Sequence, residues 1–509
     1  MLYAFCRKIL YACITDKNRK FKMGEKGWKG FLFVVIFLWL LTISTIVYFV
    51  TSGTAPLIDR SVDLFYVTVP ILAIALLYVA LSIFIFGTFL VGYGKVKNKQ
   101  LVAIQLRSEN KPYQYAISNN AFSSKKTVLY EYRAAVTHPS GDNGSIQHLP
   151  HNAGMIQAEE DLCSIIIAAR NEDSVIRRTV KGCLEQTYKN IEVIVICHNC
   201  TDGTFQEAQV NDPRVHAFDF RTTAAGKGLA LNFGVENAKG KYLLVLDADG
   251  LLSRDFIEKA IPVFDYGYVA VQGRYIPSNR DYGLITKLLA IEGDLWSTPY
   301  ATTRTLLDQR CGLGGTGYII RKDILIEVGG FANHLVDDYE LTCRLFKKKH
   351  RIGFAPLCIN YDEKPPSLEI MLKQRARWAK GFLDLLKHNV IEATDILGFL
   401  LWLGPIAGFF GFITLIIAAF AAGYNLIFEY YPYYYASIQV DVWIALTVTL
   451  YAIQALSLIR QYGRRGFKYA AYVPLYNVFS LYSFISLIKA FTVKSWASTK
   501  TTHGFVKHR

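Results

Sequence analysis

Three stretches of this chain carry no charged side chain: Phe31 to Ile58, Leu64 to Gly94 and Ile396 to Phe428. Each is longer than the roughly 20 apolar residues that cross a bilayer as a helix. Val442 to Ile459 is a shorter fourth run. Such runs do not fit a soluble single domain, and they predict paired transmembrane helices on either side of a long polar region. The first run is too long for a signal-peptide core and lacks a clear small-residue cleavage site before the second, so it reads as a retained helix.

Charge sets the expected orientation. The chain has 56 Lys and Arg against 41 Asp and Glu, a net +15. Arg7, Lys8, Lys17, Arg19, Lys20, Lys22, Lys26 and Lys29 precede the first run, whereas Arg60 is the only basic residue between the first and second. Positive flanks face the cytoplasm, so the N-terminus and the polar middle region are expected there, in a multi-pass protein of the cell membrane. Basic residues clustered at membrane flanks point to the lipid bilayer as partner and away from nucleic acid. The loop from Tyr430 to Tyr435 is expected outside. Arg460, Arg464, Arg465 and Lys468 bring the chain back inside. Tyr469 to Ile488 has positive charge on both flanks and reads as a bent interfacial helix, a fifth crossing being the alternative.

In the middle region the pattern changes to strands alternating with helices, which predicts a mainly parallel α/β sheet. Ser164 to Ala169, Ile191 to Ile196, Val215 to Phe218 and Tyr242 to Leu246 read as strands, and Val175 to Glu185 and Leu229 to Asn237 as helices. The last strand ends in Asp247-Ala248-Asp249. Two carboxylates one residue apart at a strand's carboxyl end make a hard-oxygen site for Mg2+ or Mn2+, a cation that keeps waters and takes substrate phosphates as further ligands. Open α/β sheets bind ligands at this edge. Cys197 and Cys200 have C-x-x-C spacing, but no second pair follows at zinc-site spacing, so they read as a chance pair in a loop.

Five motifs then occur in an order that resembles the membrane-embedded, processive branch of family 2 glycosyltransferases, the branch of hyaluronan, cellulose, chitin and poly-N-acetylglucosamine synthases. These are Ile165 to Glu172, Cys197-His198-Asn199-Cys200-Thr201-Asp202-Gly203-Thr204, Asp247-Ala248-Asp249, Val336-Asp337-Asp338-Tyr339-Glu340 and Gln374-Arg375-Ala376-Arg377-Trp378. The match covers about residues 160 to 382. It implies a Rossmann-like GT-A catalytic domain inserted between transmembrane helices, and inverting transfer of sugar from a nucleotide-diphosphate donor, a UDP-sugar by family habit, to a glycan acceptor.

The resemblance also implies roles. Asp338 takes the position of the catalytic base, with Asp337 beside it in place of the family's Glu. Asp249 is the stronger metal ligand, supported by Asp247. Arg170, Glu172, His198, Lys227, Asp247, Gln374, Arg377 and Trp378 line the donor, and Trp496 and Lys500 in the tail resemble a gating loop over it. Gly314, Gly315 and Thr316 approach the acceptor, on which Trp378 also stacks. His198 stands where the family has Asp, and reads either as a base contact without fixed charge or as a polar loop residue. Lys227 alone would be a solvated helix-end lysine, Asp338 alone an N-cap, and Arg375 a snorkelling residue on a membrane-lying helix.

The expected organisation is a basic N-terminus 1–29, two transmembrane helices 30–94, an irregular lead-in 95–158, the GT-A domain 159–365, interfacial helices 366–395, two transmembrane helices 396–459, a loop and interfacial helix 460–493, and the tail 494–509. Two other functions share this sequence: transfer of a single sugar to a lipid carrier, and a non-enzymatic membrane scaffold or transporter with a decayed domain.

Overall fold

The strands form because their residues are apolar and β-branched on both faces. β1 (Cys163–Ala169), β2 (Ile191–His198) and β4 (Tyr242–Asp247) read as nearly continuous hydrophobic runs, as parallel strands covered on both sides do. Successive side chains point to opposite faces. Ile165, Ile167, Val193, Val195, Leu244 and Leu246 therefore enter one core, and Ile166, Ile194, Ile196, Leu243 and Val245 the other.

The computed structural model describes residues 60–108, 161–307, 310–387, 433–480 and 482–493. The chain divides into two compact units, residues 1–79 with 391–446 and residues 80–390 with 447–509. The site described below lies wholly in the second. After helix α1 (Arg60–Ser108) come β1, α2 (Ile176–Leu184), β2, α3 (Thr204–Ala208), β3 (Val215–Phe220), α4 (Lys227–Asn237), β4, β5 (Leu251–Leu252), α5 (Phe256–Ala260), β6 (Ala270–Pro277), α6 (Leu284–Leu307), β7 (Tyr318–Arg321), α7 (Lys322–Glu327), α8 (Asp337–Lys347), β8 (Ile352–Asp362) and α9 (Leu368–Lys387). Helices α10 (Tyr433–Tyr462), α11 (Arg465–Ala470), α12 (Val473–Phe479) and α13 (Tyr482–Ala490) follow.

Strand order is β3-β2-β1-β4-β7-β6-β8-β5. β1 to β4 pair in parallel, as does β6 with β8. β7 runs antiparallel to β4 and β6, and β5 to β8. The sheet is thus mixed, which corrects the expectation of a mainly parallel one. The antiparallel β7 has a direct consequence: its amino end, at Tyr318, pairs with Val245 near the carboxyl end of β4. This carries the glycine-rich segment before Tyr318 to the edge where Asp247 emerges.

Helix α1 also corrects the sequence reading. The expected irregular lead-in from residue 95 is helical to Ser108. Lys95, Lys97 and Lys99 interrupt the apolar pattern, but Val96 and Gln100 are buried one turn apart, followed by Ala103. The Gln100 side chain donates to Lys259 O at 3.1 Å and accepts from the Leu357 amide at 3.0 Å, which seats the helix on the α/β domain. The second charge-free run lies inside this helix. Among residues whose side chains are described, no helix is long and apolar enough to cross a membrane. Residues 1–59, 109–160, 388–432 and the tail with Trp496 and Lys500 fall outside the described residues.

Candidate active site

The parallel register aligns the carboxyl ends of three strands. Ala169 pairs with Cys197, and Ala168 with Asp247, so the loops after β1, β2 and β4 open on one edge. Within the turn after β4, Ala248 is buried and its carbonyl accepts from Thr179 Oγ1 at 2.7 Å. The Gly250 amide closes the turn on Asp247 O at 3.0 Å. An inward Ala between two Asp leaves both carboxylates on the outer side of the turn.

Asp247 is fixed from two directions. Its amide donates to Thr316 Oγ1 at 2.8 Å, and its carboxylate accepts from Lys227 Nζ at 2.6 Å. The same ammonium donates to Gly315 O at 2.8 Å. Lys227 is therefore a built-in cation, contrary to the solvated lysine that its position alone would suggest. Burial opposes its charge, but Asp247, Asp337 and Asp338 together raise its pKa above the usual value. The flanking glycines serve chain packing. Gly226 has φ +151, and a β-carbon on Gly228 would come within 2.4 Å of Ala332 O. Close approach of residues 332–333, just before α8, requires both glycines.

Asp337 and Asp338 begin α8, whose N-cap position is Val336. Asp338 thus lies in the first turn and is not the cap; its Oδ1 accepts from the Tyr339 amide at 2.8 Å. Burial, reinforced by the neighbouring Asp337, pushes the Asp338 carboxyl up to about 7. Asp337 is raised by burial as well, against the pull of Lys227. Gly315 separates the two charge centres: a β-carbon there would sit 3.6 Å from Asp338 Oδ2 and 3.8 Å from Lys227 Nζ. Gly314 donates its amide to Gln272 Oε1 at 2.8 Å, and Thr316 O accepts from Tyr275 Oη at 2.7 Å. Strand β6 thereby holds the glycine loop, a role sequence reasoning missed because neither residue belongs to a motif.

Arg377 on α9 donates from Nη1 to Leu335 O at 3.0 Å, while its Nε has no acceptor among the described residues. Burial lowers its pKa, and the fields of Asp338, Asp337 and Asp247 oppose that. Gln374 and Trp378 are partly buried on the same helix. Arg375 does not snorkel: it is ion-paired with Glu292 at 2.8 Å.

On the β1–β2 side, the Glu172 amide donates to Thr204 Oγ1 at 2.7 Å, and Arg170, just after β1, is partly buried. His198 is the last residue of β2, not a loop residue. It is buried, its Nε2 lies 2.9 Å from Thr222 Oγ1 and its ring packs on Phe220. Burial lowers its pKa, which leaves it neutral at pH 7. Cys197 and Cys200 are buried too, with Cys200 Sγ against Ala169 O and the Asn171 amide. The pair packs the ends of β1 and β2.

Among the described residues no group of three or more His, Cys, Asp or Glu could hold a metal. Asp247 and Asp249 alone still fit a hard cation that draws its other ligands from water and a diphosphate, as Mg2+ and Mn2+ do. They do not fit a closed structural site.

Residues 161–381 match the family model described as "Glycosyltransferase like family 2". The "Probable glycosyltransferase YdaM" of Bacillus subtilis is 29% identical over 231 residues, covering 43% of this chain and 54% of that protein. The "Beta-monoglucosyldiacylglycerol synthase" of Nostoc sp. is 29% identical over 275 residues, covering 49% and 57%. The "Poly-beta-1,6-N-acetyl-D-glucosamine synthase" of Staphylococcus aureus is 25% identical over 230 residues, covering 44% and 56%. The chain spans about half the length of these curated relatives. Residues 161–381 thus resemble a glycosyltransferase family 2 domain.

Proposed function

We propose that this protein is an inverting glycosyltransferase that moves sugar from a nucleotide-diphosphate donor, a UDP-sugar, to a growing polysaccharide at a membrane, and that it passes the product across. One observation carries the chemistry: a carboxyl raised to about 7, Asp338, faces the Lys227–Asp247 pair across the unsubstituted Cα of Gly315. A general base works best with its pKa near the operating pH. Asp338 takes the proton of the acceptor hydroxyl, whose oxygen forms a bond to the anomeric carbon. The bond from that carbon to the diphosphate breaks, and the electron pair leaves with the nucleoside diphosphate. Lys227 and Arg377 meet the negative charge that develops there. Asp247 and Asp249 would hold Mg2+ or Mn2+, which would supply charge withdrawal from the leaving group.

The membrane reading rests on the charge-free runs and on the surface after α10. Phe467 is 64% and Phe491 78% exposed; Leu475, Val478, Ile485 and Ile488 are exposed too, and the same stretch of chain carries Arg464, Arg465, Lys468 and Lys489. Exposed apolar anchors in a basic segment suit an anionic bilayer interface. A polymer acceptor is favoured by Trp378, whose flat face can stack on a sugar. The Nostoc relative is named for a glycolipid product, which supports single transfer to lipid as the second reading. Purified protein given UDP-sugars with Mg2+ or Mn2+ should release nucleoside diphosphate and lengthen a glycan. A product carrying one sugar on lipid would establish the second reading.

A further inference from the structure

Two arginines on α9 have different attachments. Arg377 lies in the field of the site carboxylates, whereas Arg375 lies over the Trp378 ring with its guanidinium carbon 4.3 Å from the centroid. Its Nη2 is 2.8 Å from Glu292 Oε1 on α6. The other oxygen, Oε2, accepts from Tyr482 Oη on α13 at 2.6 Å. Arg375 and Glu292 keep only 16% and 18% of their side-chain surface exposed, and Tyr482 is buried in an apolar seam with Leu289, Met371 and Leu372. One turn after Glu292, Trp296 Nε1 donates to Tyr476 Oη on α12 at 2.7 Å. Two tyrosines of the C-terminal helices are therefore bonded to one face of α6.

We propose that Arg375 is a positioning residue for acceptor binding. Its planar guanidinium fixes the plane of the Trp378 ring, and Glu292 and Tyr482 make that plane depend on the seating of α13. The proposal rests on the reading of Trp378 as the acceptor platform. A partly buried tryptophan on a helix could otherwise rotate about its side-chain bonds, and each alternative rotamer takes the ring out of the stacking plane. A guanidinium held over the ring by a carboxylate restricts the ring from one face. An ion pair serving only to dock α6 on α9 would not need its cation stacked on the site's aromatic ring.

The test uses full-length protein in detergent micelles. Arg375→Lys keeps the charge and the pairing with Glu292 but loses the planar face. Acceptor KM should rise roughly tenfold, with donor KM and Tm unchanged. Tyr482→Phe keeps the packing and should shift acceptor KM the same way by about threefold. In a Trp378→Leu background, Arg375→Lys should add nothing. Multiplicative effects, or equal shifts in donor and acceptor KM, would overturn the proposal. Near-UV circular dichroism gives a readout independent of turnover. The band lost in Trp378→Phe reports an immobilised ring, and it should shrink in Arg375→Lys. Persistence of that band in Arg375→Lys would overturn the proposal even if transferase activity were confirmed. Absence of nucleotide-sugar turnover together with a shrunken band would sink the functional reading while leaving the ring-positioning role in place.

Discussion

Replacing Asp338 with Asn should stop catalysis and stabilise the protein, with the two effects separated by pH. The carboxyl is raised from 3.8 to about 7 by burial and by Asp337. That is a shift of about 3 units, equivalent to ~4 kcal/mol at 1.36 kcal/mol per unit. Water reaching the partly exposed carboxylate screens roughly half of it, leaving ~2 kcal/mol. The sign follows from linkage. Well below pH 3.8 the group is neutral both folded and unfolded, so it costs nothing. As pH rises toward 7 the unfolded chain ionises first, and above 7 the folded state carries the full penalty. Asn, which never ionises, should therefore raise Tm by about 3 °C at pH 8 and by less than about 1 °C at pH 4, given the usual unfolding entropy per residue. The same variant should lose roughly 10²–10⁴-fold in kcat. In the wild type, kcat/KM should fall tenfold per pH unit below about 7, because the base must be ionised. Scanning calorimetry at the two pH values, with initial rates of nucleoside diphosphate release, gives both numbers. An Asn variant with normal turnover, or one less stable at pH 8, would refute the assignment.

Other perturbations follow from the same geometry. Lys227→Met leaves three carboxylates without their internal cation; kcat should fall roughly 10²-fold, and the acid limb of the pH–rate profile should move above 7, since Lys227 holds the Asp338 pKa down. Gly315→Ala places a methyl at ordinary contact distance from Asp338 and Lys227; it should fold with an unchanged Tm, while acceptor KM rises about tenfold. Gly314→Ala brings a β-carbon within 2.1 Å of Tyr275 Oη and should destabilise by about 1–3 kcal/mol, read as a fall in Tm. Gln100→Leu strands the Lys259 carbonyl and the Leu357 amide; it should cost about 1–3 kcal/mol and show as a denaturation midpoint shift.

The parts of the fold that sequence displays are those where burial is symmetric. β1, β2 and β4 are apolar on both faces, so their runs are visible without a periodic signal, and the Asp-Ala-Asp turn follows from the end of one of them. The antiparallel half left no such mark. β7 is four residues long, and β6 and β8 mix buried Gln272, Arg274 and Asn360 with apolar neighbours. The tail of α1 escaped notice because Lys95, Lys97 and Lys99 interrupt the apolar run, although Val96 and Ala103 are buried and the Lys99 ammonium lies over the Tyr266 ring. Within the site, the motifs located Asp247, Asp338 and Arg377 because chemistry confines their residue types. The pairings that hold the site were invisible: Thr316 against the Asp247 amide, Gln272 and Tyr275 under the glycine loop, and Glu292 beside Arg375 lie 41 to 83 residues from the groups they meet and reach them only through the fold. For His198 the sequence leaves open a base contact or a polar loop residue; the structure makes it the last residue of β2, with its ring on Phe220.

The central claim is that Asp338, Lys227 and the Asp247–Asp249 pair act on a nucleotide-diphosphate sugar. The most direct measurement is nucleoside diphosphate release by purified full-length protein across a panel of nucleotide sugars, with Mg2+, Mn2+ or chelator, and with Asp338→Asn as the control. The account predicts release from at least one donor, abolished by chelator and by the Asn variant, with glycan lengthening in step. Release that survives Asp338→Asn, or no release from any donor by folded protein supplied with metal and acceptor glycan, would contradict it.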